Sequence, residues 1–476
     1  MKKQYETVIG LEVHVELSTK TKIFCGCATS FGKAANTQIC PVCLGLPGTL
    51  PVLNKQVVTY ALAVGLALNC QVNQECRFDR KHYAYPDNPQ GYQISQRYLP
   101  ICYDGAIEIA TEAGKKRIGI HEIHMEEDAG KLIHEDGGEC SLVDYNRSGV
   151  PLIEIVSEPD LRTAEEVIAY LEKLRLIIRY LGVSDCKLQE GSMRVDVNLS
   201  VREVNAATFG TRTEMKNLNS FKAIAHAVAG ECERQIKIIE AGGKVVQETR
   251  RWEERHETSY SMRSKEDIQD YRYFPDPDLP PLWISDKWIQ EIKEKQPELP
   301  AKKRERYQRE FAIPDYDAGI LTSSKKLADL FEETAALCKK PKKVSNWLLG
   351  ETLRLLKEQN MEPEEISFSA DHLAELIDYI EAGVISHTIA KEVFEKMFGS
   401  DCDPGQYIEE KGLKVVREDE VLRKAVELCM MENLQSVVDY RNGKEKALGF
   451  LVGQTMKYMK GKADPVMINM LLKELL

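Results

Sequence analysis

The segment Asp276-Pro277-Asp278-Leu279-Pro280-Pro281 constrains the fold more than any other feature, because a helix or a central strand cannot continue through it. Upstream, the chain carries short alternating segments, Gly and Pro punctuation and aromatics, the pattern of strands joined by tight loops. Helical spacing there is clearest at Lys55 to Leu68, Thr163 to Tyr180 and Phe221 to Ala241. From Trp288 onward the chain reads as Lys/Glu-rich amphipathic helices, with Gly399 to Gly405 as the candidate linker among them. The pattern predicts an α+β protein with its sheet first and its helices last. A chain of 476 residues exceeds one comfortable core, so two or three domains are expected.

Strict alternation over Leu11-Glu12-Val13-His14-Val15-Glu16-Leu17 predicts a strand with apolar residues on one face and Glu12, His14 and Glu16 on the other. Glu12 and His14 are then about 7 Å apart on that face, a spacing from which two side chains can converge on one ion. An ordinary half-buried strand with a solvated face carries the same pattern. The acidic cluster His124-Met125-Glu126-Glu127-Asp128 and the strand Pro151-Leu152-Ile153-Glu154-Ile155-Val156 add to it. Glu154 lies in a run that is apolar on both faces, where an ionised carboxylate is costly unless it is paired with Arg or Lys or bound to a cation. Oxygen donors with one imidazole suit a hard ion such as magnesium and point toward phosphoryl transfer; a structural ion or a salt-bridge network is the alternative.

Four thiols form a second constellation. Cys25-Gly26-Cys27 and Cys40-Pro41-Val42-Cys43 give C-x-C-x12-C-x-x-C, which predicts a closed, noncatalytic zinc knuckle over residues 25–43; four unrelated buried cysteines are the alternative. The chain has thirteen cysteines, an odd number, and the N-terminus passes directly into a strand-like segment, so reduced thiols in a cytoplasmic protein are expected. No apolar run approaches the roughly 20 residues that a membrane span needs.

Candidate ligand contacts lie on a second alternating strand, where Arg194, Asp196 and Asn198 share the polar face. Glu214 and Lys216 follow, in a segment leading to a helix that Asn219 or Ser220 can cap. Lys81 and Tyr83 in one loop, and Arg272 between tyrosines in another, put cations beside aromatics, a combination able to stack on bases and hold phosphate. Ordinary strands and surface loops look the same. Neither G-x4-G-K-[ST] nor G-x-G-x-x-G occurs, so any ATP site is of an uncommon kind, and there is no glutaminase or amidase signature.

The net charge of −11 argues against indiscriminate nucleic-acid binding. Residues 441–462 reverse that sign locally, with Arg441, Lys444, Lys446, Lys457, Lys460 and Lys462 against Glu445 alone. Such a segment suits an RNA phosphate ridge or simply a solvated helix face.

Five blocks, at 6–17, 124–131, 151–160, 216–221 and 270–275, together resemble the signature blocks of the B subunits of glutamyl/aspartyl-tRNA amidotransferases, and the resemblance extends over essentially the whole chain. It implies ATP-dependent conversion of misacylated Glu-tRNA(Gln) or Asp-tRNA(Asn) to the amide. It also implies a heterotrimer with the amidase-type A subunit, which supplies ammonia, and the small C subunit, as well as contact with the matching aminoacyl-tRNA synthetase. Carried over by motif, the magnesium ligands are Glu12, His14, Glu127 and Glu154, with Glu127 preferred to Glu126 by register in the block. Zinc cysteines occur in only part of the family, which fits a stabilising role. The implied fold is a cradle-shaped, mostly antiparallel sheet with flanking helices over 1–292, an all-α domain over 293–405 and a small helical tail over 406–476 that reaches the outer corner of the tRNA.

Overall fold

The computed structural model describes residues 4–134, 140–264, 270–416 and 418–476. They form two compact units, Met1–Leu299 and Pro300–Leu476. The first unit contains, in chain order, β1 (Tyr5–Glu16), α1 (Lys55–Ala67), β2 (Gln71–Val72), β3 (Glu75–Cys76), β4 (Asp79–His82), β5 (Tyr92–Ser95), β6 (Cys102–Thr111) and β7 (Gly114–Glu127). Then come β8 (Lys131–His134), β9 (Ser141–Asp144), β10 (Pro151–Ser157), α2 (Ala164–Leu181), β11 (Met193–Glu203), β12 (Thr213–Lys216) and α3 (Phe221–Glu240). The unit ends with β13 (Glu248–Glu253), β14 (Thr258–Ser264), β15 (Phe274–Pro275), β16 (Leu282–Trp283) and α4 (Asp286–Lys295).

Nine strands make the main sheet in the order β14-β13-β12-β11-β1-β10-β7-β6-β2. All neighbours are antiparallel except β12 and β13. The strand-like alternation of β1 sets its place: Val13 and Val15, with Ile153, Ile155, Ile123, Met125, Val195 and Val197 of neighbouring strands, are buried in one core. Each such side chain contributes roughly 1.5–3 kcal/mol on burial. Helices α1, α2 and α3 pack against β6, β7 and β11 and share that core. The three helices begin where the spacing predicts, and Asn54, Thr163 and Ser220 cap them.

The second unit is helical: α5 (Pro300–Phe311), α6 (Asp315–Leu321), α7 (Lys325–Cys338), α8 (Pro341–Trp347), α9 (Leu353–Gln359), α10 (Ala370–Glu381), α11 (His387–Ser400) and α12 (Pro404–Glu410). After these come α13 (Asp419–Glu432), α14 (Leu434–Arg441), α15 (Lys446–Tyr458) and α16 (Pro465–Leu475), whose Leu422, Val426, Leu451, Ile468 and Leu472 form a core of their own. The expected linker at 399–405 is shorter than its composition suggests. Gly399 and Ser400 complete α11, Asp401 ends it in the left-handed region at φ 44°, and Asp403 caps α12 with Pro404 in its first turn.

The two cation–aromatic segments expected to be separate loops instead meet. Arg80 pairs with Phe274 as β4 and β15 run antiparallel, and β4 also pairs with β5. Residues so distant in sequence carry no local sign of such a pairing.

One buried acid ties α3 to the sheet. Glu231, 1% exposed, accepts hydrogen bonds from Thr213 Oγ1 at 2.8 Å, Gln235 Nε2 at 2.8 Å, and Arg234 Nη2 and Nε at 2.7 and 2.8 Å. Burial pushes this carboxyl up, but Arg234 and its other donors outweigh it and hold it below its ordinary range. Its stabilising contribution is therefore present above the unfolded carboxylate pKa and lost as pH falls through the lower folded value. We expect Glu231→Ala to cost about 3–5 kcal/mol in urea unfolding at pH 7, and the deficit to shrink when the unfolding is repeated in acid.

Candidate active site

The face of the main sheet opposite the core carries a band of charged side chains. Antiparallel register aligns them: Glu154 lies beside His14 on one side and His124 on the other, while Glu12 lies beside Asp196 and Asn198 beside Glu214. Because partners in register share a face, the polar positions of β12, β11, β1, β10 and β7 line up across the sheet.

The distances are short. His14 Nδ1 is 3.3 Å from Glu126 Oε1 and 3.7 Å from Glu154 Oε2, and its Nε2 is 3.8 Å from Asp196 Oδ2. Donor atoms of Glu12, His14 and Asp196, and likewise of His14, Glu126 and Glu154, lie within 4.8 Å of one another. Asn198 Nδ2 donates to Glu12 Oε1 at 2.8 Å, and Lys216 Nζ donates to Asp196 Oδ2 at 2.5 Å and contacts Glu214 Oε1 at 2.9 Å. The carboxylates and imidazole form a donor set suited to a hard divalent cation.

Electrostatics reflect this crowding. Burial and the charge of Glu154 push Glu12 up. Burial would lower His14, but Asp196, Glu126 and Glu154 raise it to about 10. Burial would raise Asp196 too, but His14 and Lys216 bring it down to about 2. The imidazolium and ammonium groups thus carry the positive charge that the buried acids require.

Of the adjacent glutamates, Glu126 faces this cluster. Glu127 turns away, is 7% exposed, and accepts from Gln90 Nε2 at 2.6 Å and the Ile94 amide at 2.9 Å. Burial raises its pKa to about 8. Alternation through Glu122-Ile123-His124-Met125-Glu126 is the sequence signal that places Glu122, His124 and Glu126 on one face. Motif and spacing alone do not single out His124. It is buried, with Nε2 3.1 Å from Glu154 Oε2.

Arg194 belongs to the same band but pairs elsewhere, with Nη2 2.9 Å from Asp128 Oδ2. Lys81 lies close enough for Glu126 and Glu154 to raise its pKa against the opposing effect of burial, and its Nζ sits 5.0 Å over the Tyr271 ring. Tyr83 meets Tyr271 edge-on at 6.2 Å, and burial raises its hydroxyl to about 12. Arg272 is exposed at φ 46°, and its carbonyl lies 3.2 Å from His82 Nδ1.

The four cysteines of the knuckle also converge. Their sulfurs lie within 4.8 Å of one another, with Cys40 and Cys43 3.9 Å apart. Tetrahedral bonding at about 2.3 Å places sulfurs about 3.8 Å apart, so the donor set fits one soft ion. Hydrogen bonding from Cys25 and the charge of Lys22 bring Cys43 down to about 4, whereas burial lifts Cys27 to about 11. Gly45, at φ 61°, closes the loop; a Cβ there would lie 2.8 Å from the Cβ of Gln90, the residue that holds Glu127. The loop that follows the four cysteines thus packs closely on Gln90, behind Glu127.

In the helical unit, Lys457 and Lys460 are exposed, and Lys462 Nζ donates to the Gly412 carbonyl at 2.9 Å. Among the described residues, no helix is long and apolar enough to cross a membrane.

Residues 7–290 match the GatB/GatE catalytic domain, and residues 329–476 match the GatB domain. The aspartyl/glutamyl-tRNA(Asn/Gln) amidotransferase B subunit from Lachnoclostridium phytofermentans is 64% identical over 474 residues, covering 100% of this chain and 99% of that protein. Its counterpart from Agathobacter rectalis is 65% identical, with 100% of both chains covered, and that from Caldicellulosiruptor saccharolyticus is 56% identical, with 99% of both covered. With both domains matched and the aligned length nearly complete, the chain belongs to the family of aspartyl/glutamyl-tRNA(Asn/Gln) amidotransferase B subunits.

Proposed function

We propose that this chain is the carboxylate-activating component of a glutamine-hydrolysing tRNA amidotransferase, converting misacylated Glu-tRNA(Gln) or Asp-tRNA(Asn) to the amidated form. The observation that carries this reading is the convergence of Glu12, His14, Glu126, Glu154 and Asp196 on one sheet face beside Lys81 and Lys216. In the proposed reaction the γ-phosphoryl group of ATP passes to the side-chain carboxylate of the tRNA-bound amino acid, and ammonia then displaces phosphate to leave the amide. The amidase-type partner supplies the ammonia, the small third chain completes the heterotrimer, and the matching synthetase delivers the tRNA.

Glu12, His14 and Glu154, with a carboxylate of the Glu126–Glu127 pair, would hold magnesium, which when bound supplies charge neutralisation to the phosphoryl group. Lys81 and Lys216 provide fixed positive charge for phosphate oxygens, and Asp196 orients Lys216. Tyr83 and Tyr271 offer ring faces and edges to a base, and Asn198 holds Glu12 in position. Arg194, Glu214 and Arg272 extend the substrate-binding surface. We read the sheet as the cradle of the catalytic domain over 1–292, followed by a helical domain to 405 and a tail over 406–476 whose Lys457, Lys460 and Lys462 meet the tRNA backbone. The four thiols are read as a structural zinc site that stabilises the wall around Gln90 and Glu127.

Amide formation on misacylated tRNA by the assembled heterotrimer, fed free ammonium in place of glutamine, tests the activation chemistry. Glu154→Gln is expected to lower the rate at least 100-fold with tRNA binding retained. Comparison of Glu126→Gln with Glu127→Gln decides between the two acids: the ligand's variant shifts magnesium dependence, and the other's does not. Full activity in Glu154→Gln would remove the assignment. The purified chain is expected to contain one equivalent of zinc, and Cys40→Ser to lose it with a lower melting temperature; a zinc-free protein with four freely alkylated thiols would contradict this. Changing Lys457, Lys460 and Lys462 together to Ala is expected to weaken tRNA binding and to reduce its salt slope by about 1 per lost phosphate contact; unchanged binding would sink that contact.

A further inference from the structure

His124 occupies a position that the proposed ligand set does not use. It lies directly across the β7–β10 ladder from Glu154, which in turn faces His14 across the β10–β1 ladder, so one carboxylate stands between two imidazoles. His124 is 8% exposed, and its Nε2 is 3.1 Å from Glu154 Oε2 and 3.8 Å from Glu126 Oε2. Its Nδ1 is buried without a hydrogen-bond partner, although Glu122 Oε1 approaches to 3.5 Å. A buried polar ring atom left unsatisfied costs stability, and an apolar residue in this strand would avoid that cost. The ring also does not join the clusters of candidate metal donors among the described residues, although it touches two members of one of them.

We infer that His124 is a positioning residue: through Nε2 it fixes the carboxylate of Glu154 in the orientation in which it meets a divalent cation together with His14. The inference rests on the proposed metal site. Its physical basis is that a carboxylate free to rotate presents its oxygens in many directions, whereas one held from behind loses less freedom on meeting the ion. The contact is made by one ring nitrogen only, so it can be separated from the general effect of filling the same space. Glutamine carries an N–H donor at the ε position, as His124 Nε2 does. Asparagine carries its donor at the δ position, where the native nitrogen has no partner.

The test is titration of the full-length chain with Mn2+, with free ion followed by electron paramagnetic resonance and the metal-free melting temperature measured in parallel. His124→Asn is expected to weaken Mn2+ binding 10–100-fold, and His124→Gln to restore it to within about threefold of the native chain. Glu154→Gln reports on the underlying reading. If it binds Mn2+ as tightly as the native chain, the metal site itself is wrong. If Glu154→Gln loses binding while His124→Asn keeps it, the metal site stands and the positioning role falls. Equal weakening in the Asn and Gln variants would overturn the assignment to Nε2, because filling and folding would then account for the loss. Should His124→Asn fail to fold, His124→Ser takes its place, with the same weakening expected and unchanged binding overturning the proposal.

Discussion

The pairing of β1 with β11 on one side and β10 on the other is the constraint on which the catalytic unit depends. It places a fully apolar face against α1, α2 and α3, and by the same register gathers acids and imidazoles on the opposite face. A shift of one residue would exchange the two faces, exposing Val13 and Val15 and burying Glu12, His14 and Glu16 in the core. The hydrophobic core therefore specifies the geometry of the charged cluster, although no core side chain belongs to it.

The cluster is balanced by charge as well as by geometry. Glu12, Glu126, Glu154 and Asp196 lie close together on a mostly dry surface, and His14, His124 and Lys216 offset them. Buried acids tolerate such crowding only with cations, protons or metal ions among them.

Supporting layers extend outward from that centre. Gln90 and the Ile94 amide hold Glu127, and the thiol knuckle packs closely on Gln90 through Gly45. On the far edge Thr249 donates to Glu214, which contacts Lys216, which in turn donates to Asp196. Glu127, Glu214, Lys216 and Asp196 are thus each held by a neighbouring group, an arrangement that limits their rotamers.

By itself the sequence determined the class of fold, the three helices at 55–68, 163–180 and 221–241, the polar faces around Glu12, His14 and Asp196, and the grouping of the four cysteines. These follow from local periodicity and spacing, which neighbouring residues enforce. Only the tertiary structure brought β4 and β15 together, because their pairing joins residues nearly 200 positions apart. It also put Glu126 rather than Glu127 beside His14. Register in the signature block favoured Glu127, whereas the pleat of β7 sends the two adjacent glutamates to opposite faces and turns Glu126 toward His14. The contact of His124 with Glu154 was likewise decided there, since strand order and register arise from cooperative packing of the whole sheet and not from any one segment.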